Sequence, residues 1–468
     1  MLLAVLCLAT LPWLGMSDFH TKGEPREAIV GLTMLEQGNW ILPHNNGGEM
    51  AYKPPFFHWT IAATSALAGG VSEWTARFPS ALAAIALMMW MYVFYARRRD
   101  SGTALLATLI CFTTFEVFRA AFACRVDMMQ ALGIAGAMFA FAAWAGRERR
   151  GVPWLAILMM SLGTLTKGPV AIVLPCGVTG VYLLLRRESL WRTMGWMTLS
   201  GTLALVLPAL WYWAAWQQGG DEFLALVKEE NVDRFLGRMT YRSHENGLWY
   251  YFVMLPAGLL PWVLPAVAAW WSRRHGPTNL ARWQKFSPET LYSLVAFVLV
   301  FAFYCIPMSK RGVYLLPLYP FAAWFIAIAL RHWSLRMKQW VVGTVLALYV
   351  VAFAVVVPLT VNRRSDIDIA RDIQAMRLDG PLRSYFAVHV AGNPLHFFTI
   401  NFYLNDGVDN WDGQTDGYLL VGQCDAEQFR KEHPEVGLRH LYTSRHRSCD
   451  LKQTVHLYQL FPARSCSK

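Results

Sequence analysis

The sequence predicts an α-helical polytopic membrane protein with about 11 or more transmembrane helices, followed by a small C-terminal α/β soluble domain. Hydrophobic residues make up 55% of the 468-residue chain and charged residues only 16%, whereas water-soluble proteins usually carry about 25% charged residues. As far as residue 358, apolar runs of roughly 14–24 residues alternate with short polar breaks. The breaks alternate in kind, since one carries an arginine cluster and the next carries acids, lysines and aromatic side chains.

Eleven apolar runs are predicted to span the membrane. They are 2–16, 74–95, 102–117, 128–145, 152–165, 169–185, 194–216, 249–271, 290–307, 313–330 and 339–358. The first run lacks the basic residues that precede the apolar core of a cleaved signal peptide, so we interpret it as a span.

Five basic clusters predict the orientation. They are Arg97–Arg99; Arg147, Arg149 and Arg150; Arg186, Arg187 and Arg192; Arg273, Arg274, Arg282 and Lys285; and Arg331, Arg336 and Lys338. With the N-terminus inside, all five fall on the cytoplasmic side, where positive loops are retained during insertion. We therefore expect a multi-pass protein of the bacterial inner (plasma) membrane with a periplasmic tail. Because these loops explain the net charge of +11, no nucleic-acid partner is expected.

The predicted transmembrane domain, residues 1–360, contains one long outer loop at 17–73. Pro25 marks the start of a helix that we expect to lie at the membrane interface. Trp40–Tyr52 contains Asn-Asn-Gly-Gly between apolar ends, which predicts a hairpin. Phe56–Leu67 predicts a second interfacial or re-entrant helix.

Residues 361–468 are predicted to form the periplasmic α/β domain. Its elements are a helix at Ile367–Met376 and strands at Ser384–Val390, Gly417–Val421 and Val455–Leu460. About a hundred residues suffice for a small domain. Its three cysteines, at positions 424, 449 and 466, permit one disulfide, although nothing in their spacing demands it.

Two acids are candidate catalytic residues. Glu24 follows the first span, where a carboxylate can act as a general base or orient a substrate; it can equally be an ordinary acid at a helix N-terminus. Asp127 begins a span, where an acid is costly unless it has a partner or a role. A simple pair with Arg125 is the structural alternative.

Several cations on the same side are candidate substrate-binding residues. Lys53 precedes a rigid Pro-Pro pair, and Lys167 stands in Thr-Lys-Gly-Pro at a helix boundary. Both are suited to binding a phosphate, although Lys53 can also be a lysine that merely reaches the interface. The later residues are Arg242 and His244 in the 229–249 loop, and Lys310, Arg311 and Tyr314. Acids and phosphate-type cations thus converge on one face, which favours a reaction between a lipid-phosphate substrate and a second substrate.

The order and spacing of these motifs resemble the aminoarabinose–lipid A transferase family, one of the polytopic GT-C glycosyltransferases, which include protein O-mannosyltransferases. The resemblance covers roughly residues 1–358. It rests on Glu24-Pro-Arg, Lys53-Pro-Pro, Asp127 at a span start, Leu165-Thr-Lys-Gly-Pro, and Ser309-Lys310 followed by Tyr314-Leu-Leu-Pro317. The tail also fits, because aminoarabinose transferases carry a periplasmic α/β domain.

The resemblance implies an inverting glycosyltransferase that moves a sugar from a polyprenyl-phosphate donor to a lipid A-like, glycan or protein acceptor. It implies no metal and no further cofactor. By resemblance, Lys53 binds the donor phosphate, Arg242 or a neighbouring arginine lines the same cavity with Lys310, Arg311 and Tyr314, and Asp127 is the second acidic position. The family commonly has Asp-Glu where this chain has Gly23-Glu24, which leaves open whether the acceptor is a hydroxyl that needs a base or an ionised phosphate that does not.

Two other classes of protein fit parts of the pattern. A polytopic transporter or flippase of an envelope lipid or glycan precursor is the main alternative. Transporters, however, place ionisable groups near the bilayer midplane and often show internal repeats, whereas here the charges lie at one face. A membrane scaffold that binds partners through its tail would leave the shared placement of Lys53, Lys167, Lys310 and Asp127 without a purpose.

Overall fold

The computed structural model describes residues 1–147, 151–233, 245–273, 286–386 and 397–463. Its α-helices, labelled α1 to α19 in chain order, are Leu2–Thr10, Gly23–Gln37, Phe56–Ala68, Glu73–Ala96, Ser101–Phe112, Phe115–Ala121, Val126–Ala145, Trp154–Lys167, Val170–Leu185, Leu190–Lys228, Tyr250–Gly258, Val263–Arg273, Pro288–Cys305, Tyr319–Ala329, Leu335–Val351, Val357–Val361, Ile367–Ala375, Phe398–Tyr403 and Gln423–Glu432. The strands β1 to β7 are His44–Asn45, Glu49–Met50, Leu382–Ser384, Asp409–Asn410, Tyr418–Gly422, Val436–Arg447 and Thr454–Pro462.

Six of the described helical segments are long and apolar enough to cross a membrane. They are Glu73–Ala96, Val126–Ala145, Leu190–Lys228, Pro288–Cys305, Gly312–Ala329 and Leu335–Arg364. Two bent pairs, α5 with α6 and α11 with α12, raise the number to 8 if each pair is one span. Shorter apolar helices lie at Leu2–Trp13, Trp154–Lys167 and Val170–Leu185.

Every predicted span coincides with one of these segments, which confirms the α-helical membrane fold, while the number of crossings stays a prediction. Two of the predicted spans are bent: α5 and α6 meet at 69°, and α11 and α12 meet at 96°. The second break lies between Pro256 and Pro265 and includes Pro261, and proline removes the backbone donor that would continue a helix.

The outer loop folds as two helices joined by a hairpin. Helix α2 begins at Gly23, two residues before the proline taken as its start. Strands β1 and β2 pair antiparallel, as His44 lies opposite Met50, and α3 follows the Pro-Pro pair directly. The hairpin and both helices therefore match the sequence prediction.

The tail contains a five-stranded sheet in the order β4-β3-β5-β7-β6. Strands β4, β3 and β5 are parallel, and β5, β7 and β6 are antiparallel. The predicted strand at 384–390 instead occupies Leu382–Ser384, and residues 387–396 lie outside the described part. The sequence missed β6, the longest strand, because it is an edge strand rich in charged and polar side chains. Cys424 and Cys449 are free thiols, and position 466 is outside the described residues.

The tail packs against the outer loop. The Asn46 N–H donates to Asp406 at 2.9 Å, and the Asn401 side chain donates to Oδ1 of Asn46 at 3.0 Å. At a second point of contact, the Phe19 N–H donates to the Tyr403 hydroxyl at 3.0 Å. The predicted domain division near residue 360 is untested, but these contacts link the loop and the tail directly.

Asp406 makes this packing sensitive to pH. Burial raises the pKa of Asp406 to about 6 from its ordinary 3.8, despite the opposing hydrogen bonds from Asn46 and Asn401. Because the folded pKa is the higher one, the contribution of Asp406 to stability is most favourable below about pH 4 and is lost as the pH rises to about 6. Asp406→Asn keeps both accepted hydrogen bonds and should slow amide exchange in residues 397–410 at about pH 7.5, with a flatter pH dependence. Asp368→Asn, at an exposed aspartate of the tail, is the control, and equal exchange in both variants would contradict the role of Asp406.

Candidate active site

Asp127 and Lys167 form an ion pair where two neighbouring helices meet. Asp127 lies in the first turn of α7 and Lys167 is the last residue of α8, where each charge is also favoured by its helix dipole. The Lys167 ammonium donates a hydrogen bond to Oδ1 of Asp127 and lies 4.4 Å from the centre of the Tyr314 ring. Arg125 approaches the other oxygen of Asp127 at 3.9 Å. The carboxylate is thus shared by two cations.

A pair of glycines sets the distance between α7 and α8. A Cβ atom on Gly133 would lie 2.7 Å from Cα of Gly163, so neither position has room for a side chain. Small residues let membrane helices approach closely. This contact brings the start of α7 beside the end of α8 and so places Asp127 next to Lys167.

A second ion-pair cluster surrounds Glu27 on helix α2. The Lys53 ammonium donates to Oε1 of Glu27 at 2.5 Å, and Nε2 of His58 lies 2.8 Å from Oε2. Burial raises the pKa of Glu27, but Lys53, His58 and Arg26 together outweigh it and hold the pKa well below its usual range. Burial lowers the pKa of Lys53 to about 8, with Arg26 acting in the same direction and Glu27 opposing. Glu27 therefore keeps Lys53 charged.

Glu24 has a different environment, in which both of its oxygens are engaged. Arg77 donates to Oε1 at 2.9 Å and to Oε2 at 3.3 Å, and the Cys124 N–H donates to Oε1 at 3.0 Å. Arg77 itself is 2% exposed and also donates to the carbonyls of Leu14 and Ser17. Glu24 would have to give up buried partners to take a proton, so the geometry favours a structural role for it.

Arg311 links the two clusters electrostatically. Burial lowers the pKa of Arg311, Arg125 and Arg26 lower it further, and Tyr314 and Asp127 raise it. Its backbone is fixed by Tyr251, whose hydroxyl lies 3.2 Å from both the N and the O of Arg311. The guanidinium thus lies within electrostatic reach of Arg26 from one cluster and of Asp127 from the other.

The Lys310 ammonium is hydrogen-bonded to backbone carbonyls. Its ammonium donates to the carbonyl oxygens of Asn246 at 3.0 Å and Pro307 at 2.5 Å, and the residue is 3% exposed. In this arrangement it holds the chain before Arg311 in place. The predicted Arg242 and His244 lie outside the described residues.

The cations of the site are more accessible than the acids. The side chains of Lys53, Lys167 and Arg125 are 26%, 27% and 28% exposed, whereas those of Glu27 and Asp127 are 5% and 6% exposed. The carboxylates therefore lie beneath the cations and orient them. A ring of partly exposed cations over buried counter-ions is suited to binding an anion such as a phosphate.

Comparison with known proteins finds a family model that matches part of the chain and several relatives. Residues 52–213 match the family described as dolichyl-phosphate-mannose-protein mannosyltransferase. A relative from Pectobacterium carotovorum, named undecaprenyl phosphate-alpha-4-amino-4-deoxy-L-arabinose arabinosyl transferase, is 29% identical over 360 residues. That alignment covers 73% of this chain and 61% of the relative. An uncharacterized protein from Aquifex aeolicus is 27% identical over 430 residues, covering 91% of this chain and 80% of its own.

The whole fold also has a solved counterpart. The crystal structure of ArnT from Cupriavidus metallidurans bound to undecaprenyl phosphate superposes with a TM-score of 0.74 at 18% identity, covering 98% of this chain and 97% of that one. The chain is thus similar in sequence to aminoarabinose transferases and in fold to ArnT, and the predicted resemblance is confirmed. The α/β tail lies within the superposed length. Against the named Pectobacterium relative, the chain spans less than two thirds of that protein's length.

Arg26, Glu27 and His58 were not predicted as site residues, and Arg125 was predicted only as a structural partner of Asp127. For Glu27 a usable signal was present, because positions 23 and 27 lie one turn apart on the same face of α2. No comparable signal existed for His58, whose contact with Glu27 depends on how α2 and α3 pack.

Proposed function

We propose that the protein is an integral membrane glycosyltransferase that transfers a sugar from a polyprenyl-phosphate donor to a lipid A-like, glycan or protein acceptor. One observation carries the proposal: partly exposed cations from α2, the segment before α3, α7 and α8 gather over buried carboxylates. A lipid-linked phosphate needs such cations at the edge of the membrane, together with acids that keep them charged. The names of the relatives and of the solved counterpart agree with this donor chemistry.

In this proposal, Lys53 and Arg311 bind the donor phosphate, with Arg242 and His244 as further contributors from the 229–249 loop. Lys167 and Tyr314 line the neighbouring part of the site, and Lys310 holds Arg311 in position. The inverting reaction needs no metal for this binding, because the cations compensate the charge of the leaving phosphate.

Asp127 is proposed as an orienting carboxylate that fixes Lys167 toward the reacting sugar. Asp127→Asn should lower kcat/KM about ten- to a hundredfold, since a charge-assisted hydrogen bond is worth about 1.5–3 kcal/mol. The acidic limb of the pH–rate profile should remain, because the base is another group. Asp368→Asn, an exposed aspartate of the tail, serves as the control. Full activity of Asp127→Asn would contradict the assigned role.

We further propose that the reaction takes place at the periplasmic face of a bacterial inner membrane. The arginine clusters support this orientation, and the packing of the tail against the outer loop puts both on the same side as the site.

The proposed function is tested by reconstituting the protein in vesicles with an undecaprenyl-phosphate-linked aminoarabinose and lipid A. Transfer should appear as modified lipid A and free undecaprenyl phosphate, detected by mass spectrometry. If lipid A stays unmodified, lipid and envelope glycan profiling of a deletion strain identifies the sugar and acceptor. Movement of the intact donor across the bilayer without cleavage would favour the flippase alternative and overturn the proposal.

A further inference from the structure

The first position of helix α2 is a glycine and carries no acid. A Cβ atom on Gly23 would lie 1.5 Å from Nη1 of Arg125, so the arginine fills the space that a side chain at position 23 would occupy. Residues four apart share one face of a helix. The carboxylate on this face is therefore that of Glu27, one turn further along α2.

Glu27 is held by three groups: Lys53, His58 and, at 3.5 Å from Oε1, the guanidinium of Arg26. Lys53 is 26% exposed and flexible enough to turn toward a ligand, whereas His58 is 1% exposed and fixed in the packing between α2 and α3. Within the part of the chain that the structure describes, Nδ1 of His58 has no hydrogen-bond partner. The contact between Nε2 of His58 and Glu27 therefore fixes the position of the carboxylate.

We propose that Glu27 is the general base of the site. Glu27 pairs with Lys53 until the donor phosphate takes its place beside Lys53. Glu27, still held by His58, then accepts the proton of an acceptor hydroxyl. This role rests on the proposed function. Exchanging one anion for another leaves the Lys53 ammonium paired with an anion at every stage, so donor binding does not cost it a partner.

The exchange also turns Glu27 into a better base. While Lys53 is paired with it, the pKa of Glu27 is held well below its usual range despite burial. Once Lys53 turns to the phosphate, the effect of burial is opposed by fewer cations and the pKa rises, so the carboxylate becomes basic when the donor is in place. His58 acts as a positioning residue.

The proposed step balances as follows. The acceptor oxygen forms a bond to the anomeric carbon, and the bond between that carbon and the phosphate oxygen breaks. The electron pair leaves with the phosphate, which departs as polyprenyl phosphate bound to Lys53. The acceptor proton moves to Oε1 of Glu27.

The test compares Glu27→Gln with the wild type in two assays: binding of undecaprenyl phosphate and turnover with the identified donor and acceptor. Turnover should fall about 10²–10⁴-fold, the usual contribution of a general base, and the acidic limb of the rate profile should vanish. Binding at pH 6.5 should not weaken, because the competing carboxylate is gone. Wild-type binding should be lost near pH 8, where Lys53 loses its charge. In Glu27→Gln this loss of binding should move to lower pH.

Controls separate this role from a structural one. Glu36→Gln changes an exposed acid on the same helix and should leave both assays unchanged. Glu27→Asp should bind undecaprenyl phosphate and turn over partially, which shows that the fold survives. His58→Gln should lower kcat with little change in donor binding. If Glu27→Gln weakens binding and turnover together, or turns over normally, the proposed role of Glu27 is wrong. If the wild type neither binds undecaprenyl phosphate nor transfers sugar, the proposed function itself fails.

Discussion

Replacing Arg77 with methionine should cost about 3–5 kcal/mol of stability, because it leaves the buried carboxylate of Glu24 without its partner. Arg77 is 2% exposed, and Glu24 is 5% exposed. Burial raises the pKa of Glu24, but Arg77 and the Cys124 N–H lower it below its ordinary value. We expect this variant to be scarce in membranes and to unfold at a lower temperature in detergent, as measured by a thermal-shift assay on the purified protein.

Two variants make the result interpretable. Arg371→Met removes the partner of Asp368 in a pair whose side chains are 66% and 56% exposed, and an exposed pair is worth about 0–1 kcal/mol. The double variant Glu24→Leu with Arg77→Met removes both charges and should regain part of the lost stability. If Arg77→Met is as stable as Arg371→Met, Glu24 is not the structural carboxylate that its contacts indicate, and its candidacy as a base strengthens.

Replacing Lys53 with alanine should weaken donor binding about ten- to a hundredfold, since it removes a charge-assisted contact worth about 1.5–3 kcal/mol. The loss should appear in the KM for the donor. Lys53→Arg should rescue it only in part, because a planar guanidinium differs from a point charge.

The matched control is Lys22→Ala, an exposed lysine just before α2. We expect its KM for the donor to match that of the wild type. Equal KM values for Lys53→Ala and the wild type would remove Lys53 from the phosphate site.

The membrane fold was largely predictable from the sequence, because hydrophobic length and the alternation of loop charge are local signals. The two bends were not, since a bent pair and a straight span have the same hydropathy. In the tail, β5 and β7 were predicted from their apolar runs. Strand β6 was missed because its many charged and polar side chains mask the alternating pattern of a strand.

Many residues of the site were predictable from the sequence, but the ion pairs between them were less so. Asp127 and Lys167 were both singled out, but their contact depends on the close approach of Gly133 and Gly163. Glu24 stood out in the sequence because it follows the first span. Only the packing of the helices shows that Arg77 pairs with Glu24, whereas Glu27 faces Lys53. Which acid pairs with which cation depends on tertiary packing, and no local signal in the sequence indicates it.

Native mass spectrometry of the purified wild type tests the central claim most directly. The protein is titrated with undecaprenyl phosphate and, in parallel, with undecaprenol, which has the same chain and no phosphate. We predict that the protein forms a one-to-one complex with undecaprenyl phosphate and little or no complex with undecaprenol. Equal binding of the two lipids, or of neither, would contradict the claim that the gathered cations form a lipid-phosphate site.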